Sequence, residues 1–486
     1  MTSSPLGAPL RRRMIVISSL TVCFVAGGGV PVSASAQAAV AAPADQVSVF
    51  RANDGVHGRE LWRTDGTAAG TQLVKDIGTG RDGNPDHLVA FRSRAYFAAS
   101  GGDSTKDREL WRTDATARGT RRIADIRRGD RSSEPEKLTP ANGRLFLAAT
   151  TGRHGRELWR SDGTGAGTKL LKDINPGGGS SSPEHLTRVG ENVFFVAGDG
   201  RHGRELWRTD GTPAGTRHLT DFASVPTFEG TRVGPALTSV GGLLYFLAGA
   251  DTRRGLPIPD EIWRSDGTRD GTFMVKDIDR ANFEADPLVF ADVSGRAVFN
   301  ARHSERGEEL WVTRGTRRTT RVLTDIPTGS DPTNVCGTLG GVGYFGTELH
   351  SNTSTLYRTD GTPAGTRAVV VHPGGQVSRT CEWERYAGAL HWTRSWNPVL
   401  WRTDGTAEGT TEVFRWPDDE AVYDHETSGG LQYISAGYDS GSDNADDYEA
   451  EFWRSDGTEA GTYLVKDINP TGPSYADLSG MAAVGG

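Results

Sequence analysis

From residue 46 onward, apolar residues fall in short runs of four to seven, separated by clusters of Gly, Asp, Asn, Ser and Thr. The segment Glu184 to Phe222 shows the grammar. His185–Val189, Val193–Ala197, Glu205–Thr209 and Thr216–Phe222 alternate or run apolar with β-branched and aromatic residues. Gly190-Glu191-Asn192, a Gly-rich GDGRHG and Asp210-Gly211-Thr212 punctuate them. Runs of this length bounded by turn chemistry predict four antiparallel strands and no helix.

The unit repeats. RELWRTDGTAAGTQLVKDI (59–77) returns as RELWRSDGTGAGTKLLKDI (156–174), RELWRTDGTPAGTRHLTDF (204–222), EIWRSDGTRDGTFMVKDI (261–278) and EFWRSDGTEAGTYLVKDI (451–468). Weaker copies occupy 108–126, 308–326, 355–371 and 400–414. The anchor aromatics are Trp62, Trp111, Trp159, Trp207, Trp263, Trp311, Tyr357, Trp401 and Trp453, at a mean spacing near 49 residues. A fixed period of this size, built of four-stranded meanders, predicts an all-β closed β-propeller of about nine blades. Eight blades with a displaced sheet is the alternative, since nine exceeds the usual number.

The two ends decide between a ring and a solenoid. The C-terminal YADLSGMAAVGG reads as the first strand and turn of a further unit, whereas QVSVFRANDGVHGRELW begins at a second strand. Spliced tail to head, AAVGG-QVSVFRA matches TSVGGLLYFLA at 238–248. The C-terminal strand is therefore expected to complete the first blade and hide both sheet edges.

Residues 1–38 read as a signal peptide: Arg11-Arg12-Arg13, an apolar Met14–Ala26, then Ala34-Ser35-Ala36 and Ala36-Gln37-Ala38 as small-x-small cleavage patterns. Residues 39–45 read as a short flexible N-terminus, and 46–486 as one propeller domain. The expectation is an extracellular, secreted monomer without a membrane span, exported by either the general or the twin-arginine route.

The repeats resemble the ELWxxDGT-repeat family of exported bacterial proteins over nearly all of the chain beyond the leader. Five copies match E-[LIF]-W-R-[ST]-D-G-T with G-T three residues on. The resemblance implies a repeat propeller and secretion, and it carries over no catalytic residue. The chain departs from the motif at Ala115, Arg314 and Tyr357, and at Thr355 and Val399 where the Glu stands elsewhere.

Composition narrows the function. The formal charge is −8, and removal of the three leader arginines leaves 51 basic against 62 acidic residues. A net-acidic chain suits neither nucleic acid nor an anionic membrane. The repeated Asp65, Asp162, Asp210, Asp266, Asp360, Asp404 and Asp456 are expected to close turns, and the anchor aromatics to pack between blades. The Arg and Glu before each Trp (Arg59/Glu60, Arg156/Glu157, Arg204/Glu205) are read as ion pairs or backbone hydrogen bonds at blade junctions. A ring of charge near the mouth is the other reading.

Ligand chemistry would come from the variable loops. His57, His154 and His202 hold matching places in the loops between second and third strands. The acidic loop 439–451 offers Asp439, Asp443, Asn444, Asp446, Asp447 and Glu449, oxygen ligands suited to Ca²⁺ although no cofactor is required. A second insertion spans Asp251 to Asp260. Trp383, Trp392, Trp396 and Trp416 would either build a carbohydrate-stacking patch or repack an irregular blade. Cys336 and Cys381, 45 residues apart in first-strand regions of neighbouring units, are placed for an interblade disulfide that export permits. No G-x-S-x-G or H-E-x-x-H occurs. The expected function is a non-catalytic binding module for polysaccharide or a cell-surface protein, with a secreted glycan hydrolase or lyase as the alternative.

Overall fold

The computed structural model describes residues 46–485 except 102–106, 130, 221–236, 249–260, 279–289, 304, 325–331, 333–334, 349–352, 374–382, 395–396, 418–419, 439–448 and 471–474. Nine sheets of four antiparallel strands account for the described strands. Blade 1 joins Val47–Asn53, Arg59–Thr64 and Gln72–Lys75 to the C-terminal Tyr475–Val484. Val47 pairs with Val484 and Asn53 with Tyr475, so the two ends of the chain close one sheet as the sequence predicts. Blade 2 begins at Asp86–Phe91, blade 3 at Glu136–Ala141, blade 4 at Glu184–Val189, blade 8 at Trp383–Tyr386 and blade 9 at Glu420–Ser428. Within blade 4 the outer strand is only Arg217–His218, shorter than the seven residues expected, although Leu219 N still donates to Leu206 O at 2.8 Å.

The turn between third and outer strands explains the repeated motif atom by atom. In blade 1, Asp65 Oδ1 accepts from Thr67 N (2.9 Å) and Thr67 Oγ1 (2.7 Å). Gly66 N donates to Thr64 Oγ1, which meets Thr71 Oγ1 at 2.7 Å. Thr71 Oγ1 in turn donates to Thr67 O. The first Gly adopts φ +85, and a Cβ on Gly70 would lie 2.0 Å from Asp65 Oδ1. Both glycines are thus required, one by conformation and one by space. The same bonds recur at Asp162, Asp210, Asp266, Asp360, Asp404 and Asp456. Asp114 holds the turn of blade 2 identically, with Ala115 forced to φ +63 where the other copies use Gly.

Successive blades are latched by two cations. The Arg after the anchor Trp donates to the next blade's turn: Arg63 to Ala115 O, Arg112 to Gly163 O, Arg160 to Gly211 O and Arg454 to Gly66 O. The Lys of the outer strand reaches the next blade's turn as well, Lys75 to Thr120 O and Lys172 to Thr216 O. Its ammonium also lies over the next anchor ring, as for Lys276 above Trp311 at 4.9 Å. Trp62, Trp111, Trp207 and Trp311 are buried in these seams, and Trp159, Trp263, Trp401 and Trp453 are half-buried. Trp62 packs with Phe452 and Leu431 of blade 9, and Trp111 with Val49 and Leu61 of blade 1. Among the described residues no helix is long and apolar enough to cross a membrane.

Candidate functional site

In this meander the crossover from each outer strand to the next inner strand emerges on the same face as the loop between second and third strands. The turns just described lie on the opposite face. The mouth face therefore carries the sequence that the repeat does not use for itself.

The motif glutamate turns inward there. Glu60 is fully buried and accepts from Ile77 N, Gly78 N and Gly83 N at 2.8–2.9 Å, all in the crossover to blade 2. Glu109 and Glu157 repeat this with Ser133 and Ser181 adding a hydroxyl at 2.6 Å. Of the two readings offered by the sequence, the backbone hydrogen bond holds for the glutamate. Burial pushes Glu60 up to about 7, against the opposing pull of those N–H donors. The neighbouring arginines pair with acids at the rim instead. Arg108 lies 3.6 Å from both Asp86 and Glu134, Arg156 2.8 Å from Glu136, and Arg204 2.8 Å from Glu184. Arg51 bonds Asp477 across the closing strand pair.

His57 and His202 are each held by an acid of their own loop, and His154 by Asp173 at the end of its blade's outer strand. His57 Nδ1 meets Asp54 at 2.7 Å, His154 meets Asp173 at 2.9 Å and His202 meets Asp199 at 2.7 Å. The Asp54 hydrogen bond raises His57, and the backbone and side-chain bonds from His202 help draw Asp199 down to about 2 against its burial. Among the described residues they form no shared ion site. Among the described residues one cluster is close enough for a metal, Asp107, Glu109 and Asp125, which sequence reading missed. There Glu109 is already occupied by Ile126, Arg127 and Ser133, and Asp107 by Arg122 at 2.6 Å.

Three of the tryptophans singled out in blade 8 are core residues. Trp392, Trp416 and Trp383 are buried. Trp383 stacks on Trp392 at 4.7 Å, and Trp416 meets Trp453 edge-on at 5.8 Å. A ligand ring cannot stack on them, so the repacking alternative describes these three; Trp396 lies outside the described residues. So do Asp439, Asp443, Asn444, Asp446, Asp447, Cys381 and the insertion 251–260, while Glu449 opens the third strand of blade 9. Cys336 packs beside Leu339 and Val342 in the seam between blade 8 and the sheet before it, blade 7, which begins at Gly337–Leu339.

Two features of the mouth and channel were not singled out from sequence. A cavity of about 350 Å³ opens beside blade 4, lined by Asn175, Ser180, Ser181, Ser182, Arg201 and Arg204 together with glycine backbone. Deeper, one register position of the inner strands can be followed around all nine blades. It holds Ala482, Val89, Thr139, Thr187, Thr238, Ala291 and Gly337, then Glu384 and Glu426 side by side. Burial, then the charges of Glu384 and Asp424, push Glu426 up to about 7, and burial also raises Glu384. Aligning the repeats at this inner-strand position would have exposed the pair.

No family model matches the chain, and no curated protein matches it. Solved structures similar in part include the following two. One, from a structural and mechanistic study of two prolyl endopeptidases, is 12% identical at a TM-score of 0.41, covering 72% of this chain and 50% of that one. The other, a puromycin hydrolase mutant complexed with PGG, is 15% identical at a TM-score of 0.30, covering 79% of this chain and 46% of that one. The chain spans about half the length of each.

Proposed function

We propose that this propeller is an exported, non-catalytic binding module of the ELWxxDGT-repeat kind, with polysaccharide or a cell-surface protein as its ligand. One observation carries the reading. The repeated Asp, Thr and Glu groups are consumed within the ring, and the LWR arginines latch neighbouring blades. What remains for a ligand is the mouth face, whose polar cavity beside Asn175 and Arg204 offers hydroxyls, amides and guanidinium groups rather than a nucleophile with its base. Ca²⁺ held by the 439–451 loop belongs to the same proposal, as does the monomeric state.

The alternative, a glycan hydrolase or lyase, is favoured by the Glu384/Glu426 pair, since two carboxyls with one held protonated near neutrality suit general acid–base work. The test is a pull-down of the mature chain on a panel of polysaccharides, with the same tubes assayed for new sugar ends with and without Ca²⁺. Depletion without new ends supports the binding module. New ends that vanish in Glu426→Gln would establish the enzyme instead, and no depletion on any polysaccharide would turn the search to protein partners.

A further inference from the structure

Blades 2, 3 and 4 enter their inner strands through one sequence pattern: Asn84-Pro85-Asp86-His87-Leu88, Glu134-Pro135-Glu136-Lys137-Leu138 and Ser182-Pro183-Glu184-His185-Leu186. At each, strand pairing skips a residue, between Asp86 and Val89, Glu136 and Thr139, and Glu184 and Thr187. The residue placed in the bulge is left-handed in every case: His87 at φ +55, Lys137 at +56 and His185 at +54. Glycine would occupy that conformation without strain, yet three successive blades put a basic side chain there. Bulges re-aim side chains, and these sit where the crossovers meet the channel mouth. The inner strands of the three blades touch one another in sequence. Lys137 and His185 are exposed and His87 half-exposed.

The acids beside them are already engaged. Asp86 is shared by Arg108 and Arg51, Glu136 is held by Arg156 and Glu184 by Arg204. His87 Nδ1 lies 4.0 Å from Asp86. Among the described residues no carboxylate is in ion-pair contact with Lys137 or His185. Partial burial of its ring first, then the charges of Lys137 and Arg204 against the larger pull of Glu184, hold His185 below its ordinary range, which favours the uncharged imidazole with an N–H to donate. The polar cavity adjoins this row, because its wall residue Arg204 is the one that grips Glu184, and Ser182 belongs to the same entry segment.

We propose that His87, Lys137 and His185, with the cavity beside blade 4, bind an acidic polysaccharide through its uronate carboxylates. The proposal deepens the polysaccharide reading above and rests on it. One lysine flanked by two imidazole donors, spaced one per blade, suits a polymer with one carboxylate per sugar, and the cavity's hydroxyl and amide groups suit sugar hydroxyls.

The experiment is calorimetric titration of the full mature chain with polygalacturonate and with its fully methyl-esterified form. Polygalacturonate is expected to bind more tightly than the ester by about tenfold or more, the scale of hydrogen bonds to charged groups. The double variant Lys137→Gly/His185→Gly should lose about that factor for the acid polymer and little for the ester. Its melting temperature should hold or rise, because glycine relieves the left-handed backbone, so lost affinity cannot be charged to misfolding. Lys137→Arg should retain binding. Equal binding of acid and ester, or unchanged affinity in the double variant, overturns the inference while leaving the polysaccharide reading standing. Failure of both polymers and of a neutral panel overturns that reading, and the inference with it.

Discussion

Lys466 Nζ donates to Thr71 O at 2.8 Å, a bond between residues 395 apart in sequence that joins the ninth blade to the first. The same ammonium lies 5.5 Å from the centroid of the Trp62 ring. Lys75 makes the identical pair of contacts to blade 2, through Thr120 O and Trp111. The closure is therefore an ordinary seam in its side-chain bonds, and the chain crosses it as it crosses the others, from Lys466 into Tyr475–Val484; what distinguishes blade 1 is that its inner strand is joined to Val47–Asn53 by pairing alone.

Replacing Lys466 by Met keeps the apolar stem and removes the charge. The expected cost is about 1.5–3 kcal/mol, that of a hydrogen bond from a charged donor. Lys75→Met should cost less in kinetic terms, because it latches onto blade 2, whose four strands are one continuous stretch of chain, whereas Lys466 latches onto blade 1, whose inner strand is held by pairing alone. Unfolding rates in denaturant measure the difference, and equal acceleration in the two variants would show that closure is not where opening starts.

The motif turn gives an internal comparison between two glycines of blade 3. A Cβ at Gly167 would sit 1.9 Å from Asp162 Oδ1, whereas one at Gly152 would meet nothing within 4 Å. Gly167→Ala should therefore break the Asp162–Thr164 bonds and destabilise by about 1–3 kcal/mol, as overpacking does. Gly152→Ala should fall within about 0.5 kcal/mol of the parent, as surface substitutions do. Thermal melts of the two variants side by side are the measurement.

The bridge between Cys336 and Cys381 is expected in the oxidised, exported protein. Intact mass under non-reducing conditions should show two hydrogens missing and no thiol labelling. Reduction should lower the melting temperature by tightening nothing in the native ring and freeing the unfolded chain, an effect of about 2–4 kcal/mol for a typical loop. Two labelled thiols in the unreduced protein would remove the bridge.

The ring was legible because every blade must solve the same two problems, a tight turn and a seam, and solves them with the same residues. Asp65-Gly66-Thr67 and Trp62 announce themselves by repetition. Closure was legible for the same reason, since AAVGG before QVSVF completes a unit that neither end completes alone. The channel and mouth were harder. Glu384 and Glu426 occupy a position that is Val, Thr, Ala or Gly elsewhere, so they appear only when inner strands are aligned by pairing. His87, Lys137 and His185 gain their meaning from a backbone bulge, which no spacing rule encodes. The tryptophans of blade 8 misled by their number: Trp392 and Trp383 replace smaller core residues and face inward.

His391 tests the seam of blades 8 and 9. Its place in the second strand is taken by Tyr96, Phe146, Phe194, Tyr245, Tyr344 and Tyr433 in other blades, each lying opposite an inner-strand partner at the same register. His391 is buried, with the edge of Tyr386 5.9 Å away and the next blade's Gly457 above it. Neither ring nitrogen has a hydrogen-bond partner among the described residues, and the same holds for the buried His425. Burial, with the adjacent His425 and Arg402, lowers His391 to about 3, and burial lowers His425 to about 4. Unfolded histidine titrates near 6.5, so as pH falls below that value the unfolded chain takes up protons that the folded one refuses. The stability associated with each histidine is fully present above about pH 6.5 and drains away between there and the folded value. At pH 5 the loss is about 2 kcal/mol per histidine, since each pH unit below 6.5 is worth about 1.4 kcal/mol. His391→Phe restores the aromatic found at this place in six other blades and removes one titrating group. The variant should gain on the parent by about 2 kcal/mol at pH 5 relative to pH 8, read from urea midpoints at the two pH values. A constant difference between parent and variant across that range would mean that His391 meets solvent or a proton acceptor before the seam opens.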